Sequence, residues 1–250
     1  ITESSVRMVE LENGAVDVNK SAATEDVNRV VNGETENISI WKADVSQAIY
    51  YFGINLSSEK MQDAKVRQAI MNAVDSETLC LISFDVAGSP STSILPSNMW
   101  YSAALEGDSA YHYDPEGAKA LLAEAGFPDG ITIRLVCDSN AYRRAMAEAL
   151  PSMMEKAGIT IEVEFMESAA FNTWRLESKG DDFDVFLTNM GQLNEPSSAM
   201  TAFLSKVNSP EGGGNGMFRY AGTDLSNTID SLINAAVAET DESARAKIYV

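Results

Sequence analysis

Residues 57–60 read Ser-Ser-Glu-Lys, which matches the Ser-x-x-Lys motif of serine acyltransferases. In that chemistry the amine of Lys60 would activate the hydroxyl of Ser57. The sequence contains neither Ser-Asp-Asn nor Lys-Thr-Gly, the two motifs that complete such a site. Elsewhere we find no nucleophile, base and orienting group that belong together. We therefore predict that the protein is not an enzyme, and we keep a serine hydrolase that uses Ser57 and Lys60 only as an alternative.

Two other groups of residues have types that bind ions or phosphate in other proteins. Asp181, Asp182 and Asp184 could coordinate a hard cation, but the twelve-residue calcium-loop pattern is absent, which favours a solvated turn. The glycine-rich run at residues 212–216 lacks the Lys-Ser/Thr of a phosphate loop and is typical of a flexible connection. His112 is the only histidine and has no soft ligand near it in sequence. We expect no metal and no cofactor.

The charge of the chain excludes several classes of partner. Its 250 residues include 18 basic and 37 acidic side chains, which gives a formal net charge of −19. Such a field repels phosphate backbones and anionic lipid, so we expect neither nucleic-acid binding nor adsorption to a membrane surface. Residues 1–10 have neither the basic start nor the apolar stretch of a secretion signal. This indicates either a cytoplasmic protein or a trimmed chain.

The chain has two cysteines, Cys80 and Cys137, which are far apart in sequence. They lack Cys-x-x-Cys spacing, so a redox or zinc motif is not indicated. Two buried free thiols and one disulfide outside the cytoplasm both remain open.

A strand, a helix and a second strand follow one another between residues 131 and 165. Residues 131–137 alternate between apolar and polar side chains, residues 142–157 have helical spacing up to Gly158, and residues 159–165 alternate again. This order predicts a βαβ unit with parallel strands, and hence an α/β fold. Pro151 lies inside the predicted helix and should kink or split it.

The other periodic segments predict further elements around this unit. The helix that starts at Pro115 has Asp114 as its N-cap, and Gly126 ends it. Residues 1–45 have only short apolar runs, so we place a boundary near residues 43–46. The amphipathic pattern is interrupted at the last residue, which favours truncation. Two further strands are predicted at residues 48–56 and 183–188. Further helices are predicted at residues 66–74, 168–178 and 243–249. Two more helices are predicted to begin at Ser76, with Asp75 as the cap, and at residue 224.

Five stretches of the sequence, taken in order, resemble one protein family. They lie at residues 14–17, 51–55, 66–75, 113–127 and 183–196, and the fourth reads Tyr-Asp-Pro-Glu-Gly-Ala-Lys-Ala-Leu-Leu-Ala-Glu-Ala-Gly-Phe. The chain is similar to the bacterial extracellular solute-binding proteins of family 5, which serve peptide and nickel ABC importers. Each stretch is weak evidence alone, but their order and spacing cover nearly the whole chain.

The resemblance implies a fold and a division of the chain. We expect an α/β fold of the periplasmic-binding-protein-like (type II) class, with a mixed sheet flanked by helices. Residues 1–45 would be the tail segment of the first lobe of a bilobed protein. Residues 46–250 would be its second, inserted lobe, truncated at the carboxyl end. The missing amino-terminal half would carry the export signal and, commonly, a lipid-anchored cysteine.

The resemblance also implies a function. The protein would be the extracytoplasmic substrate-binding component of an ABC importer. It would capture an oligopeptide or a similar small polar solute in an inter-lobe cleft and deliver it to the permease subunits. Its contact with the membrane would be only through the lipid anchor, which is absent from this chain. A sensory or interaction protein with the same fold remains an alternative.

Some peptide binders of the family hold the substrate amine with an acidic residue just before an Asp-Pro or Asn-Glu-Pro turn. Here that place is filled by Gln192 or Leu193, and the usual tryptophan a few residues earlier is Met190. Glu195 could substitute for the acidic residue, although an exposed turn residue is the alternative interpretation. Recognition of a free peptide amine is therefore in question.

The family also suggests cationic and aromatic ligand contacts. Some dipeptide binders clamp the substrate carboxylate with an arginine near the start of the helix that begins near residue 142, because a guanidinium donates two parallel hydrogen bonds. Arg143 or Arg144 could do so here, or one or both could be solvated. Trp100 and Tyr101 fall in a region that is often near the cleft in this family, and core packing is the alternative for them.

Overall fold

The computed structural model describes residues 4–20, 22–41, 48–85, 88–91, 94–95, 112–177, 183–191, 196–205, 218–220 and 222–249. Several predicted features lie outside these ranges and are not tested by the structure. They are the aromatic pair Trp100 and Tyr101, the turn residues Gln192, Leu193 and Glu195, the acidic pair Asp181 and Asp182, the glycine-rich run at 212–216 and the boundary at 43–46.

Within the described part of the chain, four strands form one mixed sheet in the order β1–β4–β2–β3. They are β1 (Ala48–Ile54), β2 (Ile131–Asp138), β3 (Ile159–Met166) and β4 (Val185–Gly191). Strand β2 is parallel to both of its neighbours, whereas β1 runs antiparallel to β4 at one edge. The predicted α/β architecture with a mixed sheet is confirmed.

Helices flank this sheet, and most of them begin and end close to the predicted residues. In the described ranges the α-helices are α1 (Ser4–Glu12), α2 (Thr24–Val31), α3 (Glu59–Gln62), α4 (Ala64–Asn72), α5 (Ser76–Phe84), α6 (Pro115–Glu124), α7 (Ala141–Met154), α8 (Ser168–Glu177), α9 (Pro196–Met200), α10 (Asp224–Ala238) and α11 (Glu242–Tyr249). Short 3₁₀ turns follow α7 and α9. None of these described helices is both long and apolar enough to cross a bilayer.

The predicted βαβ unit is present. Strand β2 pairs with β3 from Ile131 opposite Ile159 to Asp138 opposite Met166, and α7 connects them. Of the two effects predicted for Pro151, a kink or a split, the split does not occur, because α7 continues through Pro151 to Met154. A 3₁₀ turn follows and ends at Gly158, whose φ of 74° is the left-handed conformation that glycine adopts readily.

Both ends of α6 are capped by the residues that the sequence predicts. The Asp114 carboxylate accepts a hydrogen bond from the Gly117 amide at 2.9 Å, and Pro115 occupies the first turn. Gly126 has a φ of 92°, and the Phe127 amide donates to the Leu122 carbonyl at 2.8 Å, which closes the helix. Ala118 and Leu122 are buried, so this face of α6 packs on the core.

The sheet separates two buried clusters. On one face, α4, α6 and α7 pack on side chains that include Ile133, Leu135 and Leu187. On the other face, Val136 and Phe186 join an aromatic cluster whose other members include Phe171, Phe183, Phe218 and Tyr220. Alternating residues of β2 therefore serve both clusters, as expected for a strand that is covered on both sides.

Residues 4–31 contain two helices, α1 and α2, which the sequence pattern did not predict. Met8 of α1 is buried, whereas Val6 and Val9 of the same helix are exposed. Helix α2 contacts the end of α5, where the side chain of Asn28 donates to the Asp85 carboxylate at 2.6 Å. These helices bury few side chains, so their sequences need no long apolar run. The hydrophobic pattern therefore did not predict them.

Candidate functional site

The candidate site lies at the carboxyl edge of the parallel strands. From β2 the chain crosses through α7 to β3 on one side, while β4 lies on the other side of β2. The carboxyl ends of β2 and β4 therefore flank a topological switch point, where ligands of open α/β sheets usually bind. The amino end of β1 reaches the same edge, because Ala48 pairs with Gly191 at the end of β4.

Three polar side chains meet at this edge. Asp138 ends β2, Arg143 lies in the first turn of α7, and Asn189 lies near the end of β4. The guanidinium of Arg143 donates two hydrogen bonds to Asp138, from Nε to Oδ1 at 2.5 Å and from Nη2 to Oδ2 at 2.6 Å. A third donor, Nη1, contacts the Asn189 side-chain oxygen. We call Asp138, Arg143 and Asn189 the edge triad.

The start of α7 fixes the position of Arg143. The Asn140 side-chain oxygen accepts hydrogen bonds from the amides of Tyr142 and Arg143 at 3.1 and 3.4 Å, which caps the helix. The Asn140 amide in turn donates to Asp138 at 3.2 Å. The capping residue thus connects the strand end to the helix start, and the Arg143 side chain points back to the carboxylate five residues before it.

Burial and ion pairing shift the pKa values of Asp138 and Arg143. Burial by itself would raise the pKa of Asp138, but the hydrogen bonds from Arg143 and its positive charge outweigh burial and hold the pKa below its ordinary value. Burial lowers the pKa of Arg143, and the Asp138 carboxylate more than compensates, so this pKa is raised. The pair is therefore ionised at neutral pH.

Aromatic rings adjoin the edge triad. Tyr50 of β1 pairs with Asn189 across the strands, and its ring lies 4.9 Å from that of Phe84. Phe84 also stacks on Tyr142 at 5.0 Å, next to Arg143 in the chain. Burial raises the pKa of Tyr50, so its hydroxyl stays protonated and can donate a hydrogen bond.

These three rings form part of the wall of an open cavity of about 1100 Å³ that runs along β1. The wall is mainly apolar and also contains residues of α5, α7, α10 and α11. A concave, apolar space beside a few convergent polar groups is typical of a ligand-binding site.

The two predicted arginines have different surroundings. Arg143 belongs to the edge triad, and only 13% of its side chain is exposed. Arg144 is exposed, donates to Glu148 at 2.8 Å and lies over the Phe165 ring at 4.7 Å from its centre. Arg144 therefore contacts a neighbouring turn of α7 and the strand β3, and not the edge triad.

Met190, the third predicted site residue within the described ranges, follows Asn189 in β4. It pairs with Ile49 of β1 and packs on a small buried cluster that includes Leu95 and Ala199. The strand alternation explains this position, because consecutive residues point to opposite faces of the sheet.

The residues of the Ser-x-x-Lys motif lie near the opposite, amino edge of the parallel strands. The amine of Lys60 contacts the Asp184 carboxylate at 3.2 Å and the Thr132 carbonyl at 2.7 Å. The Ser57 hydroxyl donates instead to the Asn55 side chain at 2.7 Å. The observed partners of Ser57 and Lys60 are therefore different groups, which does not favour an activated serine.

Asp184, which the sequence analysis placed in a solvated turn, is buried, and that expectation is wrong. Its side chain is 1% exposed and accepts hydrogen bonds from the Ser58 hydroxyl at 2.6 Å and the Arg134 amide at 2.9 Å, besides its contact with Lys60. These donors join three segments of the chain around one carboxylate. Its role is therefore structural.

Cys80 and Cys137 do not form a disulfide in the structure. Cys137 is buried in β2, and burial raises the pKa of its thiol to about 12. Cys80 is half-buried in α5 and lines the cavity. The buried free thiol that the sequence analysis offered as one alternative is present at Cys137.

The sequence analysis missed two members of the edge triad, Asp138 and Asn189. Asp138 could have been found, because it is the first charged residue after a predicted parallel strand, and ligands often bind at the carboxyl ends of such strands. Asn189 gave no such signal, since the predicted strand ended at Thr188 and the order of the strands was unknown.

Comparison with known proteins places these features in a family. Residues 1–211 match the family described as bacterial extracellular solute-binding proteins, family 5 Middle. A heme-binding protein A of Haemophilus influenzae is 28% identical over 208 residues, which are 80% of this chain and 36% of that protein. A dipeptide-binding protein of Escherichia coli K12 is 27% identical over 205 residues, with the same coverage. The chain thus spans about a third of the length of these curated relatives.

Solved structures show the same fold. The structure of HbpA2 from Haemophilus parasuis matches with a TM-score of 0.80 at 23% identity and covers all of this chain and 47% of that one. DppA from Helicobacter pylori, solved in complex with the peptide STSA, matches with a TM-score of 0.80 at 19% identity, with 46% of its length covered. The predicted periplasmic-binding-protein-like fold, one lobe of a bilobed protein, is confirmed.

Proposed function

Because the chain belongs to the bacterial extracellular solute-binding proteins of family 5, we propose that it provides one wall of the ligand cleft in the substrate-binding component of an ABC importer. In this proposal the complete protein captures an oligopeptide or a similar small polar solute and delivers it to permease subunits without altering it. The observation that carries the proposal is the edge triad. It lies at the switch point of a sheet of this fold, beside an aromatic-lined cavity.

The same proposal assigns the parts of the chain to two lobes. Residues 46–250 form the second lobe, and residues 1–45 are the tail segment of the first. The contact between Asn28 and Asp85 then joins the two lobes. In a protein of this design the ligand is enclosed when the lobes close, so the edge triad contributes one side of the enclosure.

The ligand class follows from the chemistry of the site and from the relatives. The similar proteins include a heme-binding protein, a dipeptide-binding protein and a protein solved in complex with the peptide STSA. Tyr50, Tyr142 and Phe84 offer ring surface, while Arg143 and Asn189 offer hydrogen-bonding groups. Peptides present both amide groups and varied side chains, and we therefore favour an oligopeptide.

Membership of the family supports a proposal for the location and the partners. We propose that the complete protein lies outside the cytoplasm, in the periplasm or at the outer face of the cell membrane, with a permease as its partner. In this proposal a lipid anchor on the complete protein holds it at the membrane.

The test is ligand binding by the full-length protein, because one lobe alone leaves a ligand partly exposed and should bind it weakly. Purified protein is screened by thermal melting and calorimetry against peptides of two to five residues, nickel chelates and oligosaccharides. A ligand at 100 times its dissociation constant stabilises the folded state by about 2.7 kcal/mol. We expect a clear shift of the melting temperature with at least one peptide and no turnover of it.

Two variants make this test specific to the proposed site. Arg143→Gln should weaken binding at least tenfold, whereas Arg144→Gln, which removes the neighbouring exposed cation, should change binding less than twofold. If none of the compounds binds while some substrate is turned over, the proposal is wrong. A pull-down that recovers a receptor kinase and no permease subunit would favour the sensory alternative instead.

A further inference from the structure

The positive charge of the Arg143 guanidinium is already compensated by the carboxylate of Asp138. Two of its five N–H groups donate to Asp138 and a third contacts Asn189, which leaves two for a ligand. A free guanidinium binds a carboxylate through two parallel hydrogen bonds along one side. In this structure Asp138 occupies the side formed by Nε and Nη2.

Asp138 is held firmly in this role. Its side chain is 3% exposed, and besides Arg143 it accepts a hydrogen bond from the Asn140 amide at 3.2 Å. The group facing it from β1 is the ring of Tyr50, which is neutral at physiological pH. Arg144, the next cation along α7, pairs with Glu148. A ligand carboxylate would therefore have to displace a well-bonded carboxylate or lie close to it.

We propose that Asp138 determines which ligands this lobe accepts, by compensating the positive charge of Arg143, so that Arg143 acts as a hydrogen-bond donor and not as a carboxylate clamp. This inference depends on the proposed function and specifies its ligand class. The lobe would contact main-chain carbonyls of a peptide and would not select for a free carboxyl terminus. The carbonyl oxygen is a suitable acceptor because it has lone pairs and no net charge to repel Asp138.

Two nearly isosteric variants change the charge of the edge triad in opposite directions. Asp138→Asn removes the negative charge that compensates Arg143, and Asn189→Asp adds a second negative charge against it. Both are made in the full-length protein, and a thermal melt of each verifies folding. Dissociation constants are measured by calorimetry for trialanine and for its carboxyl-terminal amide, two peptides that differ in charge at one end.

For the unaltered protein we expect the two peptides to bind within about threefold of each other. Asp138→Asn should tighten binding of trialanine relative to the amide at least tenfold, and Asn189→Asp should shift the ratio toward the amide. Arg144→Gln makes the net charge more negative by one, as Asn189→Asp does, but Arg144 lies outside the edge triad, so this variant should leave the ratio unchanged.

The outcomes separate this inference from the proposed function. If the protein binds both peptides and the ratio stays the same in both charge variants, the inference is wrong and peptide binding stands. A strong preference of the unaltered protein for trialanine over the amide overturns the inference in the same way. If neither peptide nor any other in the ligand screen binds, the proposed function fails and the inference fails with it.

Discussion

At the scale of single residues, two buried carboxylates determine the polar structure of the lobe. Asp138 binds Arg143 at the carboxyl edge of the parallel strands, and Asp184 binds Lys60 and Ser58 at the other end of the sheet. Each carboxylate has a cation and additional hydrogen-bond donors as partners, which is the condition under which a buried charge is tolerated. The first lies at the edge of the sheet that we propose to bind ligand, and the second lies at the opposite edge.

The pairing of Asp138 predicts how stability depends on pH. Its pKa is lowered in the folded protein, so its contribution to stability is present above the ordinary carboxyl pKa and is lost as the pH falls through the lowered value. We expect the melting temperature of the unaltered protein to exceed that of Asp138→Asn at pH 7, and the difference to shrink below about pH 4. A difference that grows on acidification would contradict this assignment.

Removal of the Asp184 side chain should reduce stability more than removal of an exposed carboxylate. Asp184→Ala leaves the buried Ser58 hydroxyl and the Arg134 amide without their acceptor, and we expect the free energy of unfolding to fall by about 3 kcal/mol. The matched control is Asp63→Ala. The exposed Asp63 side chain caps α4 by accepting a hydrogen bond from the Lys65 amide, so its removal should lower the free energy of unfolding by about 1 kcal/mol. Equal losses in urea denaturation would show that the Asp184 network is not stabilising.

At the scale of elements, the βαβ unit depends on a close approach between two turns. Gly130 precedes β2 and Gly158 precedes β3, and the Ile131 amide donates to the Gly158 carbonyl at 3.0 Å. This contact sets the register in which Ile131 lies opposite Ile159. Gly130 has a φ of 92°, and a Cβ at this position would lie 2.3 Å from the Gly158 carbonyl oxygen.

This geometry predicts different effects for two glycine substitutions. Gly126 has the same φ of 92°, but a Cβ there would meet nothing within 4 Å. Gly126→Ala should therefore lower stability by about 1–2 kcal/mol, the strain of the left-handed backbone alone. Gly130→Ala should lower it by at least 2 kcal/mol more, because the strands must also move apart. Thermal melts of both variants test this, and similar melting temperatures would contradict it.

At the scale of the whole molecule, a side-chain hydrogen bond connects α2 with the end of α5. Asn28 donates to Asp85, which has a φ of 48° at the end of α5, a conformation that is uncommon outside glycine. If residues 1–45 belong to the first lobe, as we propose, this hydrogen bond crosses between the lobes. It would then favour the arrangement of the lobes seen here over one in which they are apart.

The prediction at this scale concerns ligand affinity. One hydrogen bond contributes about 1 kcal/mol, so Asn28→Ala in the full-length protein should raise the apparent dissociation constant of a bound peptide about fivefold. Asn32→Ala removes an exposed amide whose observed contact is with the nearby Glu34, and it should have no effect. The prediction is wrong if the two variants bind equally well, or if Asn28→Ala tightens binding.

The sequence alone determined the elements whose signals are local. The caps at Asp114 and Gly126 predicted α6, and the alternation in β2 and β3 predicted the strands of the βαβ unit. These signals are local, because caps and helix or strand periods depend on residues that are close in sequence. The resemblance to the solute-binding family, carried by short motifs in order, was also sufficient to predict the fold class, and the comparisons confirm it.

Only the tertiary structure decided which polar groups meet. Arg143 is close to Asp138 in sequence, but Asn189 is 46 residues away, and Lys60 and Asp184 are separated by 124 residues. These partners come together because β4 inserts beside β2, and no local pattern encodes that order of strands. The same physical reason explains why Asp184 was predicted to be solvated. Its burial depends on donors supplied by distant segments, and the energy of a buried charge is decided by those donors and not by its neighbours in sequence.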